Sequence, residues 1–548
     1  MKQHANKQSP SIPYAVSRSI TTWFLVLLLL GGYARADNQD DIQVKYGADH
    51  LENATINGEP CQKLRGNVVF NLEQLTIKAD SALYYHKKRR IDAQGNIKII
   101  HKDGSTMVAD RLIYEEETQL AQLRGHVILK SEETIFYADH FHYNTKTKQG
   151  HFVQGGRLVE GDNVLTSEAG SYNDVDKIAV FQQHVKLVSP DYTVQCDKMH
   201  YNTVTKIAKF KGRTKITSND GKQTLTTDKG GEYNTNNQQS TFVQSQVAIK
   251  QYTLYGSVLK KDKKGYTATG QVRLVDKKED IIIEGDHGKY QEEQGIAKVW
   301  GNGLMTKLLE EDTLYVSADT FEAIEDKATE ESRFNTVKAY PNVKIYKDDL
   351  QGKADSLVYQ EADSTLYFYG DPIFWSNKTQ LTADSAHLLL QERAFDAMHM
   401  DTNAFVVSED DLGNFNQIQG RSMVAHFKEN KVDHVEIDGN AESIYFLMEK
   451  KGQLQGMNRM RCAHIHVLIK ENGIAAINTQ KKVVGAFYPP SLIPEDLKRL
   501  DNFSWRMDEC PTKQEVVAHG YGTHPGYKAF KLHLQATPSS PNDRTLKK

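Results

Sequence analysis

The chain has 548 residues, a formal net charge of -3, 25% charged and 39% hydrophobic residues. That apolar content is too modest for one thick globular core, so several domains or one elongated domain are expected. Charges of both signs are interspersed with no basic stripe, which argues against nucleic acid as the partner.

At the N-terminus, Lys2, Lys7 and Arg18 precede the apolar run WFLVLLLLGG, Trp23 to Gly32, which is followed by Ala34-Arg35-Ala36. The pattern reads as a cleaved secretory signal over residues 1–36. The run is shorter than the roughly 20 residues of a membrane span; a signal-anchor is the alternative. No cysteine lies beside the cleavage point, which disfavours a lipid anchor. The four cysteines, Cys61, Cys196, Cys462 and Cys510, form no C-x-x-C pair, so neither a zinc site nor a disulfide-dense scaffold is implied. A Cys462–Cys510 disulfide is the favoured bridge, and unpaired buried thiols are the alternative.

From residue 37 onward the chain repeats. Aspartates recur at Asp49, Asp80, Asp110, Asp139, Asp197, Asp228, Asp286, Asp319, Asp355 and Asp384, mostly after Ala and at intervals near thirty residues or twice that. With degenerate copies near Gly170 and Gly256 and later ones headed by Arg421 and Ala463, there are about fourteen units. Three residues before the aspartate the column is apolar: Ile77, Met107, Phe136, Val194, Leu225, Ile283, Val316 and Leu381. After it come Phe141 and Met199 at +2, and Tyr84, Tyr114, Tyr143 and Tyr201 at +4. Positions seven apart cannot share one face of a flat strand, so the side-chain phase must slip between them. The Ala-Asp predicts a bulge or corner at Asp80, Asp110, Asp139 and Asp197, the carboxylate accepting bonds from nearby backbone N–H groups.

The other half of each unit carries its own corner, at Gly66, Gly95 and Gly125 and their later counterparts. Apolar alternation follows each, as in Val68 and Phe70, Ile97 and Ile99, Val127 and Leu129, and Val185 and Leu187. Polar segments such as HKKRR and NTKTKQG suit hairpin turns. Each unit is therefore two bent antiparallel strands. Stacked corners predict an all-β, elongated, folded-over antiparallel sheet whose two apolar columns line a long groove. Residues 37–320 hold the regular repeats, and residues 321–484 continue them with longer insertions. In 485–548 the pattern stops: YPPSLIPEDLKRL predicts a proline-marked short helix, and the polar end predicts a disordered tail.

Little in the sequence points to catalysis. One acid per unit at a fixed corner suits a structural turn, and the Gly-Gly-x-Gly-x-Asp spacing of calcium-binding repeats is absent. His140 with His142, and His464 with His466, sit two apart and share a strand face, but no third ligand is evident and no metal is expected. Motifs such as G-x-S-x-G, H-E-x-x-H or a phosphate-cradling glycine loop do not occur, so neither an enzyme nor a cofactor is expected.

The segments ADSALYY, ADRLIYE, GKADSLVYQ and LTADSAHLLL, alternating with LRGNVVF, LRGHVIL and GNAESIYF, resemble the OstA-like family. Its domain is shared by the periplasmic lipopolysaccharide carriers LptA and LptC and by the N-terminal part of LptD. The resemblance runs from about residue 45 to about 480, and the chain is also similar to larger OstA-like proteins of Bacteroidetes-type bacteria. It implies a bent β-jellyroll in the periplasm that shields the acyl chains of lipid A and docks through strand edges to related jellyroll domains. Those partners include an LptD-like outer-membrane barrel, and end-to-end self-association is a further expectation. The residues expected to line the groove are Val68, Phe70, Ile77, Ile97, Ile99, Met107, Val127, Leu129, Phe136, Phe141, Val185, Leu187, Val194, Met199, Leu225, Ile283, Val316 and Leu381. Two other readings stay open: a polysaccharide-binding or polysaccharide-cleaving solenoid, and a structural surface protein or adhesin.

Overall fold

A computed structural model describes residues 45–519, apart from 72–74, 102–103, 105, 132–133, 145, 174, 203, 250–251, 277–280, 310–311, 328–333, 392–393, 430, 450–451 and 471–472. The expected signal segment 1–36 and polar tail lie outside the described residues. The architecture is all-β, and the strand pairings among the described residues are antiparallel, between strands that are close in sequence. Two compact units divide the chain, the first reaching Lys250 together with Val258–Lys263 and the second made of Gln251–Ser257 and Lys264 onward. Position 320, where the repeats were expected to loosen, lies within the strand Thr313–Glu325.

In the first unit each long strand is bent once. Along Leu75–Tyr85, Ile77 and Ala79 are buried before Asp80, and Ala82 is buried after it, so the inward phase shifts by one residue at the aspartate. In Arg90–His101 the inward residues are Ile91 and Ala93 before Gly95-Asn96, then Ile97 and Ile99 after it. The register shows why. Between Arg65 and Val68 two residues, Gly66 and Asn67, oppose the single Asp80, which is a β-bulge.

The corner differs from its expected chemistry in one respect. The left-handed backbone belongs to the glycine strand: Gly66 and Asn67 have φ of 71° and 48°, Gly95 and Asn96 have 75° and 45°, and Gly125 and His126 have 72° and 45°. No corner aspartate has a positive φ among the described residues. The carboxylate's usual partner is a side chain on the glycine strand, not a backbone N–H. Asn67 Nδ2 donates to Asp49 at 2.9 Å, Asn96 Nδ2 to Asp80 at 2.8 Å, and His126 Nδ1 lies 2.8 Å from Asp110. Asp197 keeps the expected form, accepting from the backbone N–H of Arg213 at 3.1 Å. Asp139 stands opposite a reversed corner in which Gln154 and Gly155 are left-handed.

At the strand ends the turns also repeat. Asn144, Asn173 and Asn202 each accept two backbone N–H bonds from residues two and three positions later, the asparagine turn that competes with strand continuation.

The second unit uses the same device. Asn302 donates to Asp286, Asn342 to Asp319 and Asn403 to Asp384. Its longest strands come late, with 16 residues in Ala394–Glu409, 18 in Lys431–Met448 and 17 in Leu454–Lys470. The expected helix at YPPSLIPEDLKRL is two 3-10 turns, Pro490–Leu492 and Glu495–Leu497; the helix comes later, at Lys513–Val517, where Thr512 and Glu515 complete a capping box. This C-terminal segment buttresses the sheet. Gln380 donates to Ser504 O and accepts from Arg506 N, both at 2.7 Å, and Gln417 donates to Lys498 O and accepts from Leu500 N, both at 2.8 Å. Leu500, Phe503 and Trp505 pack against Phe405, Val407, Ile444, Phe446 and Met457. By alternation these are on the face opposite Leu381, Val406 and Ile418.

The Cys462–Cys510 bridge is absent: all four cysteines are free thiols. Cys462 sits in a strand opposite Ala441 and its Sγ donates to His464 O at 3.2 Å, whereas Cys510 lies on the C-terminal segment with its Sγ 3.9 Å from Gln351 Oε1. Spacing in sequence could not reveal that the two residues sit in different packing environments.

A Cβ built on Gly95 would stand 2.4 Å from Asp80 Oδ2. Gly95→Ala is expected to destabilise the first unit by about 1–2 kcal/mol through the left-handed backbone alone, with a further cost for displacing Asp80. Asn96→Ala, which removes a solvent-exposed bond and puts alanine at a left-handed position that asparagine tolerates better, is expected to cost about 1–2 kcal/mol, less than the total for Gly95→Ala. Urea unfolding followed by β-sheet circular dichroism, with hydrogen exchange at Asp80 to Ile97, checks the order.

Candidate functional site

The bends align into two walls with continuous register. On the first wall Phe70, Ile77, Ile99, Met107, Leu129, Phe136 and Leu158 are successive cross-strand partners. The row continues through Leu165, Leu187, Val194, Ile216, Leu225 and Val247. Cross-strand neighbours of this kind are the unit of sheet stabilisation. On the second wall Leu112, Leu123, Phe141 and Phe152 are likewise partnered, and Phe181, Met199 and Phe210 extend the row. Beside it a tyrosine from each aspartate strand alternates with a small or shorter residue from each glycine strand: Tyr114 with Ala121, Tyr143 with Gly150, Tyr201 with Ala208. Large against small across strands lets the rings interdigitate without a void.

Every residue expected to line a groove lies on the inner face of one wall or the other, and none is more than 8% exposed. That overturns the picture of an open channel. The walls touch: in the first unit Phe136 meets Phe141 and Phe152 with ring centroids 6.3 and 5.1 Å apart, and Phe70 meets Tyr84 at 6.3 Å. In the second unit the space between Leu274, Ile281 and Ile283 on one side and Ala323, Val337 and Tyr359 on the other is a cavity of about 20 Å³, room for a single water. Lys307 Nζ lies 5.1 Å from the Tyr359 ring. The interior of the second unit is also less purely apolar, since Asp276, Lys307 and Glu325 are buried there. Tyr290 donates to Glu325 at 2.8 Å, and burial first, then that carboxylate, pushes its hydroxyl far above the ordinary tyrosine range.

Outside the crease runs a ridge of exposed polar groups: Asp49 with Asn67, Asp80 with Asn96, Asp110 with His126, and Glu168 with His184 at 2.6 Å. At the reversed Gln154-Gly155 corner opposite Asp139 the ridge dips into a depression of about 570 Å³ lined by His126, Asp139, Arg157, Glu168 and His184 among others. Titratable groups along it respond to their neighbours. Asp110 holds His126 above the ordinary histidine value by hydrogen bond and charge. On the outer face of the second wall, burial and then the facing His151 push His142 below it.

With this geometry in view, the comparison with known families is decisive for one part of the chain. Residues 40–197 match the family described as OstA-like protein. That segment is OstA-like. It spans the regular corners from Asp49 to Asp197, with Gly66, Gly95 and Gly125, whereas the aspartates from Asp228 to Asp384 lie outside it. Solved structures match as well, among them the crystal structure of LptH, the LptA homologous periplasmic component of the conserved lipopolysaccharide transport device from Pseudomonas aeruginosa. The likeness is 12% identity over 31% of this chain and 82% of that one, with a TM-score of 0.10, and nothing is carried over from it. No curated protein matches the chain.

Sequence reasoning missed two features because each joins residues distant in the chain. Gln380 and Gln417, which bracket the C-terminal segment, look like ordinary strand glutamines. A group of histidines on the last strands gains its third ligand only through the fold: His426, His434 and Glu436 converge, with His466 from the noted pair alongside.

A histidine held above its unfolded value by a carboxylate contributes stability at pH below that unfolded value and loses it as pH rises through the folded one. In an NMR titration His126 is therefore expected to titrate above 6.5 in the OstA-like segment and to fall toward 6.5 in Asp110→Asn, while His142 titrates below 6.5 in both. Titration of His126 unchanged by Asp110→Asn would contradict the ridge contact.

Proposed function

We propose that this chain is a periplasmic carrier that shields the acyl chains of lipopolysaccharide between its two walls on the way to the outer membrane. The observation that carries the reading is the unbroken apolar register row on the first wall, from Phe70 to Val247, within a chain whose residues 40–197 are OstA-like. An inner surface without a polar break can hold acyl chains with no special site, each buried methylene contributing about 0.8 kcal/mol.

In this reading the closed interior is the empty state. Separated walls with nothing between them would lose their mutual contacts, so an empty crease shuts. An acyl chain entering from the open edge replaces wall-to-wall contact with wall-to-lipid contact, and the corner ridge acts as the hinge. No nucleotide motif occurs in the sequence, so directional movement is supplied by a partner. The sugars of the lipid stay in water beyond the edges.

Strand edges are the proposed docking surfaces for related jellyroll domains, for a second copy of this chain and for an LptD-like barrel, because an unpaired ladder accepts another strand. Val484–Tyr488 has that character: it pairs with Leu454–Lys470 alone among the described residues and exposes Val484 and Phe487. The polysaccharide-solenoid reading has less support, since a parallel β-helix would pair its strands in parallel, whereas the strands of this sheet run antiparallel to their neighbours among the described residues.

Photo-crosslinking residues at Ile77, Phe136 or Val194 are expected to give lipopolysaccharide adducts in cells, with none at Lys88 in an exposed turn. Absence of adducts at all three inner positions, or equal yield at Lys88, would contradict transport through the crease.

A further inference from the structure

The outer face of the second unit carries a cluster that the carrier reading does not use. The strands Phe415–Lys428, Lys431–Met448 and Leu454–Lys470 lie side by side. His426 and His434 are direct cross-strand partners, with rings stacked 4.4 Å apart at 15°. Glu436 is two residues beyond His434 and so shares its face, its Oε2 lying 3.9 Å from His426 Nε2. One ligand atom from each of these three residues lies within 4.8 Å of the others. On the third strand His466 is the cross-strand partner of Glu436, and its ring centroid is 5.2 Å from that of His434.

We infer that His426, His434, Glu436 and His466 form a site for a divalent transition-metal ion, zinc by the chemistry of its donors. Three imidazoles and one carboxylate are a tetrahedral zinc donor set, and nitrogen-rich ligation disfavours magnesium and calcium. Tetrahedral bonds of about 2.0–2.1 Å place donor atoms about 3.4 Å apart, so the three donors within 4.8 Å must close in by side-chain rotation, and His466, outside that group, must turn toward them. A supporting carboxylate is in place: His434 Nδ1 lies 2.8 Å from Asp433 Oδ2. With its proton on Nδ1 and donated to Asp433, His434 presents the lone pair of Nε2, the arrangement that orients ligating histidines in zinc sites. The cluster is half-buried to exposed, so an ion can reach it from solvent.

Other histidine pairs lack this convergence. His387 and His399 stack at 4.5 Å and 4° on neighbouring strands, and His142 faces His151 at 3.2 Å, but neither pair has a third donor within the same reach among the described residues. The ion would tie together three consecutive strands, Phe415–Lys428, Lys431–Met448 and Leu454–Lys470. It would act as a clip on the outside of the wall, leaving the interior untouched.

The test is calorimetric titration of the tag-free secreted chain with Zn²⁺, paired with the visible absorption of Co²⁺ as a reporter of tetrahedral coordination. One saturable equivalent and tetrahedral Co²⁺ bands are expected. His426→Ala/His434→Ala should abolish both, Glu436→Gln should weaken binding with β-sheet circular dichroism unchanged, and Asp433→Asn should weaken it about tenfold. His399→Ala should bind as the parent does. A parent chain with no saturable equivalent, or a Glu436→Gln chain and a double-alanine chain that bind like the parent, would overturn the site. Lipid crosslinking at Ile77 is independent of every one of these substitutions, so failure of the metal site and failure of the carrier reading are separable.

Discussion

Everything in this fold depends on a recurring β-bulge, in which two residues of one strand, usually in left-handed backbone, oppose a single aspartate of the next. A strand pair with period-two alternation buries one face only, and a straight ladder of such strands would leave a one-sided sheet with its apolar face in water. Two left-handed residues on one strand, facing one aspartate on the next, shift the inward phase and bend both strands at the same level. Because Asn67, Asn96 and His126 meet their aspartates in the same way, successive bends in the first unit are in line, and Asn302 repeats the contact within the second. The two halves of the sheet then cover one another, and the apolar columns face inward on both sides.

That geometry determines what the interior can do. Its lining is contributed by every strand in turn, so no single residue is a binding site and the loss of any one is diluted. The same repetition allows an occupied and an empty form to differ by a hinge movement at the ridge, where the contacts are polar, exposed and individually weak. Buried charged groups in the second unit, among them Asp276, Lys307 and Glu325, would make that part a poorer host than the first for the acyl chains of the proposed function. The bracketing of Gln380 and Gln417 by the C-terminal segment stiffens its outer face, and so would a metal clip. Under the proposed carrier function, accommodation of a lipid would therefore be concentrated in the first unit, whose outer surface carries no such buttress among the described residues.

Much of this was legible in the residues. The period near thirty, the apolar position three before each aspartate and the second column after it specify two inward faces and a slip between them, because side-chain alternation admits no other reading. The corner partner was not legible in the same way: that Asn96 would bond Asp80 depends on which strand carries the bulge, and Ala-Asp and Gly-Asn are both plausible sites for it. Packing between the walls was also hidden, since a column of Ile, Met and Phe reads alike whether it lines a space or fills one. Cys462 and Cys510, the glutamine brackets and the His426–His434–Glu436 group all rest on proximity between residues that the repeat does not relate, and periodicity carries no information about those.

The central claim is that the crease is shut when empty and opens at its edge to take acyl chains. The strand Ile207–Ser218 crosses the corner once, with exposed turn residues Val204 and Lys222 flanking it on opposite walls. Spin labels at Val204→Cys and Lys222→Cys, in a chain with Cys510 replaced by serine, would report the separation of the two edges by pulsed electron resonance; Cys196 is buried with its thiol pushed up to about 12 and is a poor labelling target. The account predicts a short, narrow distance distribution without lipid and a longer one with saturating lipopolysaccharide. A distribution that stays unchanged while lipopolysaccharide is bound would contradict it.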